Sequence, residues 1–446
     1  MLLVASYVFY AADSVPHLAL LVFITLASYH GAKMLSRQPK RWLLAACVGV
    51  TLAPLALFKL GGLFGWQLPV FGTQTSEIGR ATAIPIGISF YTLQAVSYVV
   101  DVYRRTGEPT PDLETHALYL AFFPQLLAGP IERAGRLVPQ LRDLRTPSPS
   151  DLYIGGKTML WGYFCKLAVA DNIGGIVDRV LASVSRMPPA SVPAAFYLYS
   201  FQLYFDFLGY TMIAIGLGRT FGVQLSPNFD RPYLAQSIRQ FWRRWHITLS
   251  SWLRDYVYRP LRGQSRGYTR FALAIVVTFL ASGLWHGAGT NFLVWGAIHA
   301  ALFLTADALG RIRWLRWMTV EARIRQGTRV VQVAICFSTV SFAWLFFRVE
   351  NTGAAMDILV RMAGWIGSGA SFELAPLFYR IDSVVFLVIL GVAFILDSTR
   401  FAEKVLESVP TTVPQLGREL ALINLVGLSL ILFGDLGSRQ FIYFRF

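Results

Sequence analysis

The chain has 446 residues, 55% of them hydrophobic and 15% charged, with a formal net charge of +15. A soluble chain of this size carries about a quarter charged residues, so the composition excludes an ordinary soluble enzyme and describes a polytopic membrane protein. Its Arg and Lys residues cluster in short connections between apolar runs, as membrane topology leads one to expect, and this excludes a contiguous nucleic-acid-binding face.

A membrane-spanning helix needs about 20 apolar residues. In chain order the candidates are 18–35, 42–63, 82–102, 152–175, 194–222, 270–284, 289–306, 330–348, 383–398 and 420–434. The opening MLLVASYVFYAA is apolar, lacks the basic flank of a signal peptide, and reads as most of one more helix. Residues 114–131 carry Pro124, Gly129 and Pro130 and read as a re-entrant piece, which must be buried in protein or line a cavity. The basic connections around Arg37, Arg104, Arg133 and Arg142, with the stretches 231–270 and 311–329, fall on one face if the segments alternate. That face is assigned as cytoplasmic, and the terminal GDLGSRQFIYFRF then lies on the outer side. Cys47, Cys165 and Cys336 stand alone in apolar runs and read as small buried hydrophobes. No fixed-period repeat is visible, so 1–446 is taken as one domain, with a motif core at about 84–306 and a terminal motif at 441–446.

The chemistry-bearing stretch runs from Asn228 to Ala300 and holds His246, His286 and His299. Within 233–260, Trp242, Trp245, Leu249, Trp252, Leu253 and Tyr256 recur at helical spacing, with Arg239, Arg243, Arg244, Arg254 and Arg259 on other faces. The pattern predicts one amphipathic helix at the basic interface. It is either a passive interfacial helix or a mouth that attracts a phosphate-bearing donor, for which Arg is suited.

His286, in LWHGAG, is a titratable group between apolar segments. Such a residue is costly in a membrane and functional by default. It is either a hydrogen-bonded packing residue or a general base that takes a proton from an attacking hydroxyl. His299, beside small alanines, is assigned to packing or to support of the site. No HExxH or suitably spaced Cys or carboxylate accompanies the histidines, so no metal is expected. Two local matches carry no weight. Gly263, Ser265 and Gly267 fit GxSxG in an Arg-rich turn without the strand such a motif needs. The run Gly156, Lys157, Thr158 lacks the first glycine of a phosphate loop.

The runs FQLYFDFLGYTMIAIGLGRTFGVQLSPNFDRPY, FWRRWHITLSSWLRDYVYRPL and GLWHGAGTNFLVWGAIHA together resemble the membrane-bound O-acyltransferases, and within them the bacterial alginate O-acetyltransferase branch. IPIGISFYTLQAVSYVVDVYRR, FFPQLLAGPIER and FIYFRF extend the resemblance over nearly the whole chain. It implies an all-α membrane bundle with a funnel from each side, meeting at a catalytic histidine that matches His286. His246 matches the second polar position of the family. Trp242, Arg243, Arg244, Trp245, Arg254, Asp255 and Trp285 are then assigned to the donor funnel, and Asn291 and His299 to support behind the centre.

The resemblance further implies acetyl-CoA as acyl donor with no permanently bound cofactor, and a polysaccharide acceptor. It also implies periplasmic or membrane-anchored acetyltransferase partners and a place in the bacterial inner membrane. Tyr443, in the terminal motif, is either an interfacial aromatic or a transient acyl carrier. D-alanyl transfer to teichoic acid stands as the alternative within the family, and a transporter or flippase as the alternative outside it. LLVASYVFYAA begins at residue 2, where family members carry a longer first segment. Either the start lies upstream or a first helix is missing.

Overall fold

The computed structural model describes residues 1–64, 85–182, 191–265, 267–311, 326–349, 351–368, 381–434 and 441–442. Among these the chain is helical. Helices α1 (Leu2–Ala11), α2 (Val15–Arg37), α3 (Arg41–Phe64) and α4 (Ile88–Arg104) lead into the short α5 (Leu113–Ala121) and α6 (Phe123–Leu126). Next come α7 (Ala134–Arg142), then α8 (Pro149–Tyr163), which passes through a π-helical turn (Phe164–Ala170) into α9 (Asp171–Ala182). The long α10 (Ser191–Thr220) is followed by three short pieces, α11 (Ile238–Arg244), α12 (Ile247–Leu253) and α13 (Arg259–Arg262). The remainder is α14 (Tyr268–His286), α15 (Thr290–Arg311), α16 (Gln326–Arg348), α17 (Thr352–Ser368), α18 (Ile381–Ser398), α19 (Phe401–Leu406) and α20 (Val413–Phe433).

Each of the ten expected segments is helical over most of its described length. Among the described residues six helices are long and apolar enough to cross a membrane: Val15–Arg37, Arg41–Lys59, Tyr268–His286, Thr290–Arg311, Gly327–Arg348 and Val413–Phe433. The piece at 114–131 is broken at Phe122, whose ψ of 102° ends α5. Its residues are mostly buried, as non-helical backbone at membrane depth must be.

Helix α10 is apolar around its circumference because it lies between two buried clusters. Leu203, Tyr204, Phe205 and Leu208 join the cluster built by α8, α9 and α16. Phe207 and Ala214 join the one built by α2, α4 and α5. Contact between α8 and α10 depends on glycine. A Cβ added at Gly155 would lie 2.7 Å from the carbonyl oxygen of Gly216, and one added at Gly209 would lie 2.7 Å from that of Gly162. Small residues seven apart on both helices thus let the two backbones touch. Gly156, in the half-matched phosphate-loop run, is not part of this contact, since an added Cβ there meets nothing within 4 Å. Lys157 donates to the carbonyls of Val405 (2.9 Å) and Ser408 (2.6 Å) and pairs with Glu419.

Candidate functional site

The single amphipathic helix expected over 233–260 is not formed. The segment is a 3-10 turn, α11, a break at Trp245 and His246, α12, a π-helical turn (Arg254–Tyr258) and α13. His246 occupies the left-handed region, φ 39° and ψ 58°, which costs a residue with a side chain about 1–2 kcal/mol. Strain of this kind persists only where the surroundings over-determine it.

The surroundings are the loop 226–231. Asp230 N–H donates to the carbonyl of Arg244 (3.0 Å), and Ile247 N–H to that of Asn228 (2.8 Å), replacing helical bonds lost at the break. Thr248 Oγ1 donates to Asn228 Oδ1 at 2.6 Å and accepts from Ile131 N–H at 3.1 Å. The loop is itself held by buried Glu132, which accepts from Ser226 N–H and, at 3.1 Å, from its hydroxyl. Burial raises the Glu132 carboxyl above its ordinary value, opposed by the bond from the Ser226 amide.

The break sends its two central side chains in different directions. Trp245, expected in the donor funnel, is instead core. It is 2% exposed and packs on Phe241, Phe229 and Trp344. His246, 1% exposed, faces Phe207 at 4.6 Å between ring centroids and Trp285 at 5.9 Å. Trp285 in turn lies 4.8 Å from the His286 ring, so one indole is shared by both imidazoles. Trp285 Nε1 donates to the carbonyl of Ser89 at 3.3 Å, which ties this ring to the start of α4.

His286 is the last residue of α14. Its ring is enclosed by Trp285, Trp295 (5.1 Å) and Phe347 (5.0 Å). Its carbonyl, one of the orphan acceptors at a helix end, accepts from Lys59 Nζ at 2.9 Å. Lys59 went unremarked in the sequence, although it is the one charged residue within 42–63. An ammonium group in a spanning segment is a functional pointer by default.

His299 lies one turn after Trp295 on α15, packed on Trp242 (4.9 Å) and Trp295 (4.8 Å). Asn291 donates to the carbonyls of Phe346 (3.1 Å) and Val349 (2.9 Å). It caps the end of α16 and so fixes Phe347 against His286.

On the basic side, Asp255 gathers four arginines from three expected basic connections. It pairs with Arg254 (2.9 Å), Arg259 (2.9 Å) and Arg133 (3.8 Å), and its carbonyl accepts from Arg104 at 3.1 Å. Beside it opens a crevice of about 440 Å³ lined by Trp242, Arg243, Arg254, Tyr258 and Phe279, among others. Arg243 is exposed there and forms no ion pair with any described residue. Arg244 is turned away and reaches the carbonyl of Arg231 at 3.5 Å. Trp242 lines the crevice and also packs on His299 and on Trp295 (5.9 Å). A line of touching rings therefore runs from the basic opening through Trp242 and Trp295 to His286. Tyr443 falls outside the described residues. Its neighbours Phe441 and Ile442 are buried against α10, not spread along a surface.

Residues 108–347 match the profile of MBOAT, the membrane-bound O-acyltransferase family. The chain is 36% identical over 393 residues to the Pseudomonas putida protein named "Probable alginate O-acetylase AlgI", covering 84% of this chain and 76% of that one. A Helicobacter pylori peptidoglycan O-acetyltransferase is 32% identical over 397 residues, 82% of this chain and 74% of the relative. A Bacillus subtilis teichoic acid D-alanyltransferase is 29% identical over 280 residues, 59% of this chain and 68% of the relative.

Proposed function

The chain belongs to the membrane-bound O-acyltransferase family and is a multi-pass membrane acyltransferase, and we propose that it carries acetyl groups from cytoplasmic acetyl-CoA toward a secreted or cell-surface polysaccharide. The observation that carries this reading is the line of rings from the arginine-lined crevice to His286. The donor phosphates sit at Arg243 and Arg254, whose guanidinium groups suit phosphate. Its thioester then points inward past Trp242.

In the transfer step His286 takes the proton of the acceptor hydroxyl as that oxygen attacks the thioester carbonyl. The carbon–sulfur bond breaks, the ester forms, and the thiolate leaves with that proton returned to it. General-base help of this kind contributes about 10²–10⁴-fold. The acceptor chemistry follows from relatives named for alginate and peptidoglycan O-acetylation. Membrane-anchored or periplasmic transferases finish the reaction at the bacterial cytoplasmic membrane.

The test is the reconstituted protein with acetyl-labelled acetyl-CoA, its partner proteins and the polymer. The expected result is label transfer in the wild type and loss of about a hundredfold or more in His286→Ala. Full activity in that variant, or none in the wild type, overturns the reading. Label accepted only from a carrier-bound D-alanine would move the protein to the teichoic acid type of chemistry.

A further inference from the structure

A buried group of three charges lies between the π-helical turn after α8 and the middle of α10. Lys166 Nζ donates to Asp171 Oδ1 and to Asp206 Oδ1, each at 2.7 Å. The three residues are 5%, 4% and 1% exposed. Charges withdrawn from water in a membrane protein are costly, so their retention calls for a reason.

The local backbone is built to assemble them. In the π-helical turn Asp171 N–H bonds the carbonyl of Lys166, an i to i+5 step that stacks the two side chains on one face. A regular α-helix would hold them well apart. Asn172 Nδ2 donates to the carbonyls of Leu167 (3.3 Å) and Ala168 (3.1 Å) within the turn. On the facing helix, the absent side chain of Gly209 lets α10 approach Lys166, where an added Cβ would meet the Lys166 amide nitrogen at 2.9 Å.

The second carboxylate oxygen of Asp206 has a different partner. Asp206 Oδ2 accepts from the main-chain N–H of Ile442 at 2.9 Å. Phe441 and Ile442 are 0% and 6% exposed. The Phe441 ring lies 4.3 Å from Tyr210 and 5.5 Å from Phe207, and Phe207 is the ring that faces His246 at 4.6 Å. Phe441 and Ile442 are therefore part of the wall behind His246, held by a charge-assisted bond that Ile442 N–H donates to a carboxylate whose own countercharge is Lys166.

We propose that Lys166 and Asp206 form a clamp that seats the C-terminal segment against the His246 pocket, and that the seated segment completes the acceptor side of the site. They are positioning residues. The proposal rests on the acyl-transfer reading above and assigns the clamp to one half of it. Cleavage of the donor thioester needs only the crevice, His286 and a nucleophile, and water can serve, giving acetate and the thiol. Delivery to the acceptor hydroxyl needs the seated segment.

The test compares wild type, Asp206→Asn and the neutral triple variant Lys166→Met with Asp171→Asn and Asp206→Leu. The triple variant guards against misfolding, because apolar replacement of a buried ion group is often neutral or stabilising. Acetyl-CoA hydrolysis, label transfer to the polymer with partners present, and amide exchange of the C-terminal peptide are read on each.

Expected are hydrolysis within about twofold of wild type and transfer lowered at least about tenfold, the size of a lost charge-assisted bond. Exchange of the terminal amides should rise by a similar factor in the Asp206 variants. Full transfer in the triple variant, equal loss of hydrolysis and transfer, or unprotected terminal amides in the wild type would each overturn the clamp. If the wild type shows neither activity the transferase reading fails, and the exchange arm still decides the clamp.

Discussion

Lys59 Nζ donates to the main-chain carbonyl of His286 at 2.9 Å, a bond between residues 227 apart in sequence. It joins α3 to the end of α14 and satisfies an acceptor that a helix terminus leaves open. A cation at this end also complements the helix dipole. The imidazole is thereby fixed from its own backbone, while Trp285, Trp295 and Phe347 fix the ring.

Replacing Lys59 by Met keeps most of the stem and removes the donor. Loss of a hydrogen bond from a charged group is worth about 1.5–3 kcal/mol. Transfer is expected to fall by roughly ten- to a hundredfold, with detergent-solubilised protein recovered in normal yield. Label transfer alongside size-exclusion profiles checks this, and unchanged transfer would remove Lys59 from the site.

His246 offers a test of backbone strain. Asn tolerates the left-handed region better than other residues with side chains, whereas a β-branched residue there is an outlier. His246→Asn should fold with a thermal midpoint close to that of wild type, and His246→Val should melt at least several degrees lower. Thermal unfolding in one detergent ranks the two, and equal midpoints would show that φ 39° is not what constrains the position.

Arg243 is exposed in the crevice and forms no ion pair with any described residue, whereas Arg254 already pairs with Asp255. Arg243→Ala should raise KM for acetyl-CoA by about three- to tenfold with little change in kcat, because it removes binding common to ground and transition states. The effect should shrink as salt is added. A change in kcat alone would place Arg243 nearer the chemistry than the crevice does.

The glycines of α8 separate packing from propensity. Gly162→Ala would push a methyl group against the Gly209 carbonyl, 2.7 Å away, whereas a Cβ at Gly156 meets nothing within 4 Å. The first should destabilise by about 1–3 kcal/mol through overpacking. The second should stabilise by up to about 1 kcal/mol, because Ala is the better helix former. Denaturation midpoints measured side by side decide it, and equal shifts would rule out close contact between α8 and α10.

Much of this protein can be read along the chain, because hydropathy and helical periodicity are local properties. Ten apolar segments, the broken piece at 114–131 and the concentration of histidines between Asn228 and Ala300 all follow from composition in short windows. Arginines from three of the basic connections, Arg104, Arg133 and Arg254 with Arg259, meet at Asp255.

Other features depend on partners that no window contains. The periodicity over 233–260 pointed to one helix, yet the loop at Asn228 and Asp230 supplies hydrogen bonds that make a break at His246 tolerable. That break turns Trp245 into the core and His246 toward Trp285. Lys59, Lys166 and Asp206 received no assignment from the sequence, although each is a charge within an apolar run. Only tertiary structure shows that one holds the backbone of His286 and the other two hold Phe441 and Ile442. The physical reason is the same in each case: a segment's own residues decide whether it is helical and apolar, whereas what satisfies a buried polar group is decided by whatever the fold brings within about 3 Å.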